Sequence, residues 1–439
     1  MKEFFPNIPK IEYEGPKSKN MFAFKHYNKN EIIMGKTMGE HLPFSFAYWH
    51  GLNYDGTDMF GVGTIDRTYD GSTGNALSEA KADAGFELME KLGFDYFCFH
   101  DVDICEQGSN LSEFKSNYVH MVDYLKAHMD RTGIKLGWNT SNLFGQPRYQ
   151  QGGATSPYLD SYAAAAFQVK NSLDASIKLG AKGYTFWGGR EGYEALINTD
   201  MEFELDNLAR FYKMAIKYAR ENGYKGAFYI EPKPKEPTMH QYDYDAATAI
   251  QFIQKYGLEN DVKLNLEGNH ASLAGHTFEH EIRVARINGL LGSLDANHAE
   301  TLVGWDTDEF PKDVKATAFA LYEVLKGGGL ETGVINFDAK LRRSSSDELD
   351  QALGFISGMD TYALGLKLAA KMIEDGRVDE FIKNRYSSFS DGLGAKVVSG
   401  ETSLEELADY AEKLEEKPVP SGRLEYLNGI INDLMCEGL

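Results

Sequence analysis

Cysteine is scarce in this chain. Three occur in 439 residues, Cys98, Cys105 and Cys436, an odd number with no CxxC spacing. That argues against a disulfide framework and a zinc knuckle. Positive charge is also short: 45 Lys and Arg stand against 66 Asp and Glu, a net charge of −21. That acidic balance counts against nucleic acid and anionic membrane surfaces as partners, since phosphate binding needs clustered Lys and Arg. No apolar run approaches the roughly 18 residues of a membrane span, and the opening MKEFFPNIPKIEY lacks a basic-then-apolar leader pattern. A cytoplasmic location is the expectation. With 42% apolar residues, the chain can bury a large core.

What is present is a rhythm. Short β-branched or aromatic runs read FAYWHG (46–51), DYFCFHD (95–101), KLGWNT (135–140), GYTFWGG (183–189), GAFYIEP (226–232), VKLNLEG (262–268), LGSLDAN (291–297) and TGVINFDA (332–339). Stretches of helical periodicity lie between them, at 78–92, 111–130, 157–179, 203–221, 243–256, 275–288 and 312–326, and another follows at 347–374. Eight strand–helix units with strands apolar on both faces predict an α/β fold, a parallel sheet closed into a (β/α)8 TIM barrel. An open doubly wound sheet competes, but no GxGxxG follows the first strand and no GxxxxGK[ST] occurs. The expected organisation is an N-terminal extension (1–44), a catalytic barrel (45–380) and a C-terminal helical extension (381–439) that covers the barrel or meets a neighbouring subunit.

The ionisable residues gather at one end of these strands. His100, Asp101 and Asp103 end the second, Glu231 and Lys233 the fifth, Glu267 and His270 the sixth, and Asp295 the seventh. Asp306 and Asp308 follow it, and Asp338 ends the eighth. In a barrel that end is the active-site face. One acid after a strand is ordinarily a helix cap, but four consecutive strands delivering carboxylates to one mouth would repel one another unless a cation sits among them. Carboxylates with one imidazole and no thiolate favour Mg²⁺, Mn²⁺ or Co²⁺, and the number of oxygens suits two ions sharing a bridging carboxylate. Asp306-Thr-Asp308 does not open an EF-hand, since Pro311 occupies the position that needs Gly. Asp103 is spaced to orient His100. Lys233 is either half of a salt bridge or an electrophile that polarises a substrate oxygen. All four tryptophans, Trp49, Trp138, Trp187 and Trp305, fall at or just beyond strand C-ends, with Phe144 near, so aromatic walls around a polar ligand are expected.

These residues sit in longer motifs: AYWHG, FCFHDVD, FWGGREGYE, INTDMEFELDNLARF, IEPKPKEPTMHQYDYD, LEGNHASLAGHTFEHE, GWDTDEFP and INFDAKLRR. In them the chain resembles the xylose isomerases, in particular the longer class with an N-terminal extension. The resemblance covers nearly the whole chain and is least distinctive after about residue 385. It implies aldose–ketose isomerisation of D-xylose to D-xylulose, with D-glucose to D-fructose as a side activity, by a hydride shift between C2 and C1. It implies two divalent ions, one held by Glu231, Glu267, Asp295 and Asp338, the other by Glu267, His270, Asp306 and Asp308. His100, held by Asp103, would assist ring opening, and Lys233 would bond the C1 oxygen. Trp49, Trp187, Phe144 and Thr140 would line the pocket, and Phe60 would reach into a neighbouring subunit of a homotetramer. Thr185, Gly268 and His298 depart from the family pattern. The expectation at Thr185 is a more polar pocket end that eases admission of glucose.

Overall fold

The structure, a computed structural model, describes residues 2–437. Eight parallel strands close a barrel in chain order: β1 (Phe44–Ala47), β2 (Tyr96–His100), β3 (Lys135–Thr140), β4 (Gly183–Trp187), β5 (Ala227–Glu231), β6 (Val262–Glu267), β7 (Leu291–Asp295) and β8 (Ile335–Phe337), with β8 pairing back onto β1. The long crossover helices are α1 (Gly74–Leu92), α2 (Leu111–Thr132), α3 (Leu159–Leu179), α4 (Met201–Glu221), α5 (Ala246–Tyr256), α6 (Phe278–Ile287) and α7 (Val314–Lys326). α8 (Glu348–Asp375) follows the last strand. Each expected strand and helix is present, with ends shifted by a few residues. The helices start where side chains satisfy their first N–H groups: Asn110 caps α2, Asp200 α4, Asp245 α5 and Asp313 α7.

The chain divides by compactness into residues 1–365 and 366–439, a boundary that falls inside α8. Residues 1–44 belong to the first unit. Glu87 accepts from the Phe4 and Phe5 N–H groups, and Asp360 from those of Lys25, His26 and Tyr27. The second unit holds α9 (Arg377–Arg385), α10 (Gly392–Ser399), α11 (Leu404–Ala411) and α12 (Leu424–Cys436). No described helix is long and apolar enough to cross a membrane.

The barrel is filled. Cys98, Trp138, Tyr229 and Val334 form a buried layer with Trp49 against it. The fit requires glycine at position 183, where a Cβ would stand 2.1 Å from the Tyr229 ring. Strand alternation then decides what reaches the mouth. In β6, Leu264 and Leu266 are buried, while Asn265 meets Glu231 of β5 and Asp295 of β7, and Glu267 meets Asn297 just after β7. The site therefore rests on packed side chains, with Glu231, Glu267 and Asp295 held on strand ends and Asp306 and Asp308 on the segment that follows β7.

Candidate active site

A cavity of about 180 Å³ opens at the C-terminal mouth, lined by Trp49, His50, His100, Trp138, Thr140, Phe144, Trp187, Glu231, Lys233, His270, Asp306, Asp308 and Asp338. Glu267 and Asp295 lie buried beside it. A larger cavity of about 1100 Å³ sits at the opposite end, among Lys29, Lys135, Lys182, Lys263 and Lys326. The helix C-termini point that way, so Arg286 and Lys326 there complement helix dipoles, and among the described residues none of the carboxylate–histidine groups close enough to share a metal ion lines it.

The acids form one connected group. Ligand-type oxygens and nitrogens of Glu231, Glu267, Asp295 and Asp338 lie within 4.8 Å of one another, as do those of Glu231, Glu267 and His270, and those of Glu267, Asp306 and Asp308. Amides hold the set in place. Asn265 Nδ2 donates to Glu231 Oε2 (2.7 Å) and Asp295 Oδ2 (2.6 Å), Asn336 to Asp295 Oδ1 (2.7 Å), and Asn297 to Glu267 Oε1 (2.7 Å). Asn269 donates to Asp306, and Lys340 Nζ to Asp308 Oδ2 at 2.9 Å.

The charges divide according to their cationic neighbours. Burial and adjacent carboxylates push Glu231, Glu267 and Asp295 well above the usual carboxylate range. Asp306 is also buried, but Lys233 Nζ at 2.6 Å outweighs that and holds it well below. Asp338 is likewise lowered against its burial by His50, whose Nε2 stands 2.8 Å from Asp338 Oδ1 and 3.2 Å from Asp308 Oδ2. In return, burial would lower the His50 pKa, but the two aspartates raise it to about 9. Three acids thus lack a cation. Glu267 Oε2 and His270 Nδ1 are buried without a hydrogen bond, although Glu267 Oε2 stands 3.0 Å from His270 Nε2. Orphaned donor atoms among crowded carboxylates are what a divalent ion satisfies, so the residues fit a metal centre.

Above this floor the walls are aromatic. The Trp49 and His100 rings meet edge-on at 4.6 Å, Phe144 and Trp187 at 4.4 Å, and Lys233 Nζ lies 5.6 Å from the Trp187 ring centre. Trp49 Nε1 donates to Asp338 Oδ1 (2.8 Å). Asp103 Oδ2 accepts from the His100 backbone N–H (2.7 Å) and stands 3.0 Å from His100 Nδ1. Burial alone would lower the His100 pKa, but the Asp103 carboxylate raises it. Asp101, on the same strand end, bonds the Asn142 N–H and Gln168, and burial pushes its carboxyl up to about 6.

Two expected pocket residues stand apart. Trp305 is 51% exposed and does not line the cavity; it is on a long loop, where spacing from a strand end does not define direction. Phe60, expected to reach a neighbouring subunit rather than this cavity, is 85% exposed. Thr185 is fully buried and faces a separate small cavity of about 20 Å³ behind Trp187, its hydroxyl unpartnered. Thr185→Val is therefore expected to raise stability by ~1 kcal/mol, measured by chemical denaturation, because it removes an unsatisfied buried hydroxyl. An unchanged glucose-to-xylose ratio of kcat/KM in that variant would also rule out a role for the hydroxyl in admitting glucose. His50, Asn265, Asn269, Asn297, Asn336 and Lys340 were not singled out from sequence. His50 follows the first strand and could have been found by the strand-end rule. Asn265 could have been found by its two-residue spacing from Glu267.

The fold and site together define a class, the (β/α)8 barrel enzymes with a carboxylate–histidine centre suited to divalent metal beneath an aromatic pocket. Comparison with known proteins narrows it. The chain is 55% identical over 433 residues to the xylose isomerase of Tetragenococcus halophilus, covering 99% of this chain and 100% of that one. It is 55% identical over 432 residues to that of Enterococcus faecalis, covering 98% and 99%. A family model described as the XylA2 C-terminal domain matches residues 382–435. Among solved structures, the D-psicose 3-epimerase of Clostridium cellulolyticum shares the fold at TM-score 0.51 and 15% identity, over 74% of this chain and 99% of that one. The chain belongs to the xylose isomerase family.

Proposed function

We propose that this protein interconverts D-xylose and D-xylulose, with D-glucose and D-fructose as secondary substrates, acting as a cytoplasmic homotetramer. The observation that carries the reading is the gathering of seven ligand-type side chains, Glu231, Glu267, His270, Asp295, Asp306, Asp308 and Asp338, beneath a cavity walled by tryptophan and phenylalanine. Glu231, Glu267, Asp295 and Asp338 would hold one divalent ion and Glu267, His270, Asp306 and Asp308 a second, with Mg²⁺, Mn²⁺ or Co²⁺ suiting the oxygen-rich set. Bound there, the ions supply Lewis acidity toward the sugar's oxygens.

The chain's own residues account for the rest. With Nδ1–H committed to Asp103, His100 presents Nε2 to the cavity, and the Asp103 carboxylate favours the protonated ring, which can hand a proton to the ring oxygen as the C1–O5 bond breaks and take one back from the O1 hydroxyl as the C1 carbonyl forms. Lys233, kept charged by Asp306, would donate to the C1 carbonyl oxygen and stabilise the negative charge that develops there. The hydride then leaves C2 with its electron pair and bonds to C1, while the O2 proton passes to O1, so atoms and charge balance within the sugar. Trp49, Trp138, Phe144 and Trp187 keep bulk water from the migrating hydrogen. Phe60 and its exposed neighbours Met59 and Val62 suit burial against a second subunit.

Protein stripped of metal is expected to form no ketose from D-xylose and to regain turnover with Mg²⁺, Mn²⁺ or Co²⁺. A deuterium at C2 should be retained in the product, as a hydride shift requires. Folded oligomer inactive with all three metals would overturn the reading. Asp103→Asn is expected to lower the pH at which His100 loses its proton, since the attraction that outweighs burial is gone. The His100 resonance followed by NMR titration measures that shift directly.

A further inference from the structure

A second cluster of donor side chains lies away from the cavity, where α5 and α6 begin. His276 and His280, spaced i, i+4 in HTFEH, stack their rings at 4.5 Å with 23° between planes. Donor atoms of His276, His280 and Glu281 lie within 4.8 Å of one another. Glu281 is buried, and its Oε2 accepts from the Ala246 N–H at 2.7 Å, which fixes the carboxylate. Asp245 Oδ2 stands 3.2 Å from His276 Nε2. We propose that His276, His280 and Glu281 form a separate zinc-type site, with Asp245 orienting the His276 imidazole.

Two imidazoles and one carboxylate make a borderline donor set. It selects zinc, nickel or copper over magnesium, in contrast to the oxygen-rich cluster at the barrel mouth. With Nε2 committed to Asp245, His276 offers Nδ1, giving the carboxylate–histidine–metal relation that fixes ring orientation and raises ligand basicity. Zinc bonds of about 2.0–2.1 Å put tetrahedral ligands roughly 3.4 Å apart. The fixed carboxylate and the half-buried His276 form the rigid side, and the exposed His280 ring closes the set by rotation. Water completes the coordination.

The placement gives such an ion a consequence. The His276 N–H donates to the Ala271 carbonyl, on the short helix (Gly268–Leu273) that carries His270. Asp245 ends the segment that starts at Lys233, whose N–H donates to the Asp243 carbonyl at 3.0 Å. Zinc here would tie together the two segments that present His270 and Lys233.

The test uses full-length protein with its main centre saturated by Mg²⁺. Zinc retained per chain after gel filtration is compared between the natural chain and His280→Ala, an exposed position outside the catalytic machinery. The expected result is one zinc per chain fewer in the variant, with Mg²⁺-supported turnover unchanged. Cu²⁺ spectra should show coupling to two imidazole nitrogens in the natural chain, lost in both His280→Ala and His276→Ala. Equal zinc content in the natural chain and the variants, with no two-nitrogen copper species, would overturn the proposal. Neither readout requires xylose turnover, so its failure is distinguishable from failure of the isomerase reading.

Discussion

Glu267→Gln is expected to cut ketose formation by at least ~10³-fold while making the metal-free protein more stable. Glu267 is the one residue common to three ligand groupings, those with Glu231 and His270, with Glu231, Asp295 and Asp338, and with Asp306 and Asp308. An amide leaves a single weaker oxygen donor where two ions would share a carboxylate, so both positions suffer together, and loss of the Lewis acid removes several kcal/mol of transition-state stabilisation. The stability effect has the opposite sign. Without metal, Glu267 is a buried acid surrounded by acids, and burial with repulsion from Asp306, Asp338 and Asp308 disfavours its charge. A neutral amide of the same shape relieves that by roughly 1–3 kcal/mol. Ligand binding at 100 times Kd adds about 2.7 kcal/mol per site, so added Mn²⁺ should raise the melting temperature of the natural chain far more than that of the variant. Thermal melts with and without metal would show the two curves crossing. A variant that keeps full activity, or that melts lower than the natural chain without metal, would refute Glu267 as a shared ligand.

Lys233→Met should lower kcat by about 10²–10³, the range seen when one preorganised donor to a developing oxyanion is removed. Methionine is of similar length and keeps an apolar stem, while the ammonium, which stands 5.6 Å from the Trp187 ring centre, is removed. KM should change less than kcat, because the interaction strengthens as charge develops on the C1 oxygen. A second effect follows from Asp306. Lys233 at 2.6 Å is what overcomes its burial, and without that cation the carboxyl titrates at higher pH. Metal binding in Lys233→Met should accordingly require higher pH than in the natural chain, which calorimetric titrations at two pH values would reveal. A fall in KM-limited activity alone, with kcat intact, would make Lys233 a binding residue only.

The barrel could be read from sequence because its signals are local and repeated. β-branched and aromatic runs such as VKLNLE alternate with helical stretches of about 10–20 residues, and eight repeats close a sheet. The carboxylates could be read because strand ends in this fold share one mouth, so position along the chain gives position in space. The compact boundary at Gly365/Leu366 was not visible, since α8 runs through it without a break in periodicity.

Loops obeyed no such rule. Trp305 sits beyond a strand end, but its backbone carries no fixed direction, and its side chain is exposed. Thr185 alternates correctly with Trp187 but lies one layer deeper. By itself, the sequence determined the strand–helix order and the acidic mouth with its carboxylates and imidazole, because these depend on period and residue chemistry. Only the tertiary structure decided which cation neutralises which acid, His50 with Asp338 and Lys233 with Asp306, and which acids are left without one. Those pairings join residues 288 and 73 positions apart, and at that separation only barrel closure brings the charges within reach of one another.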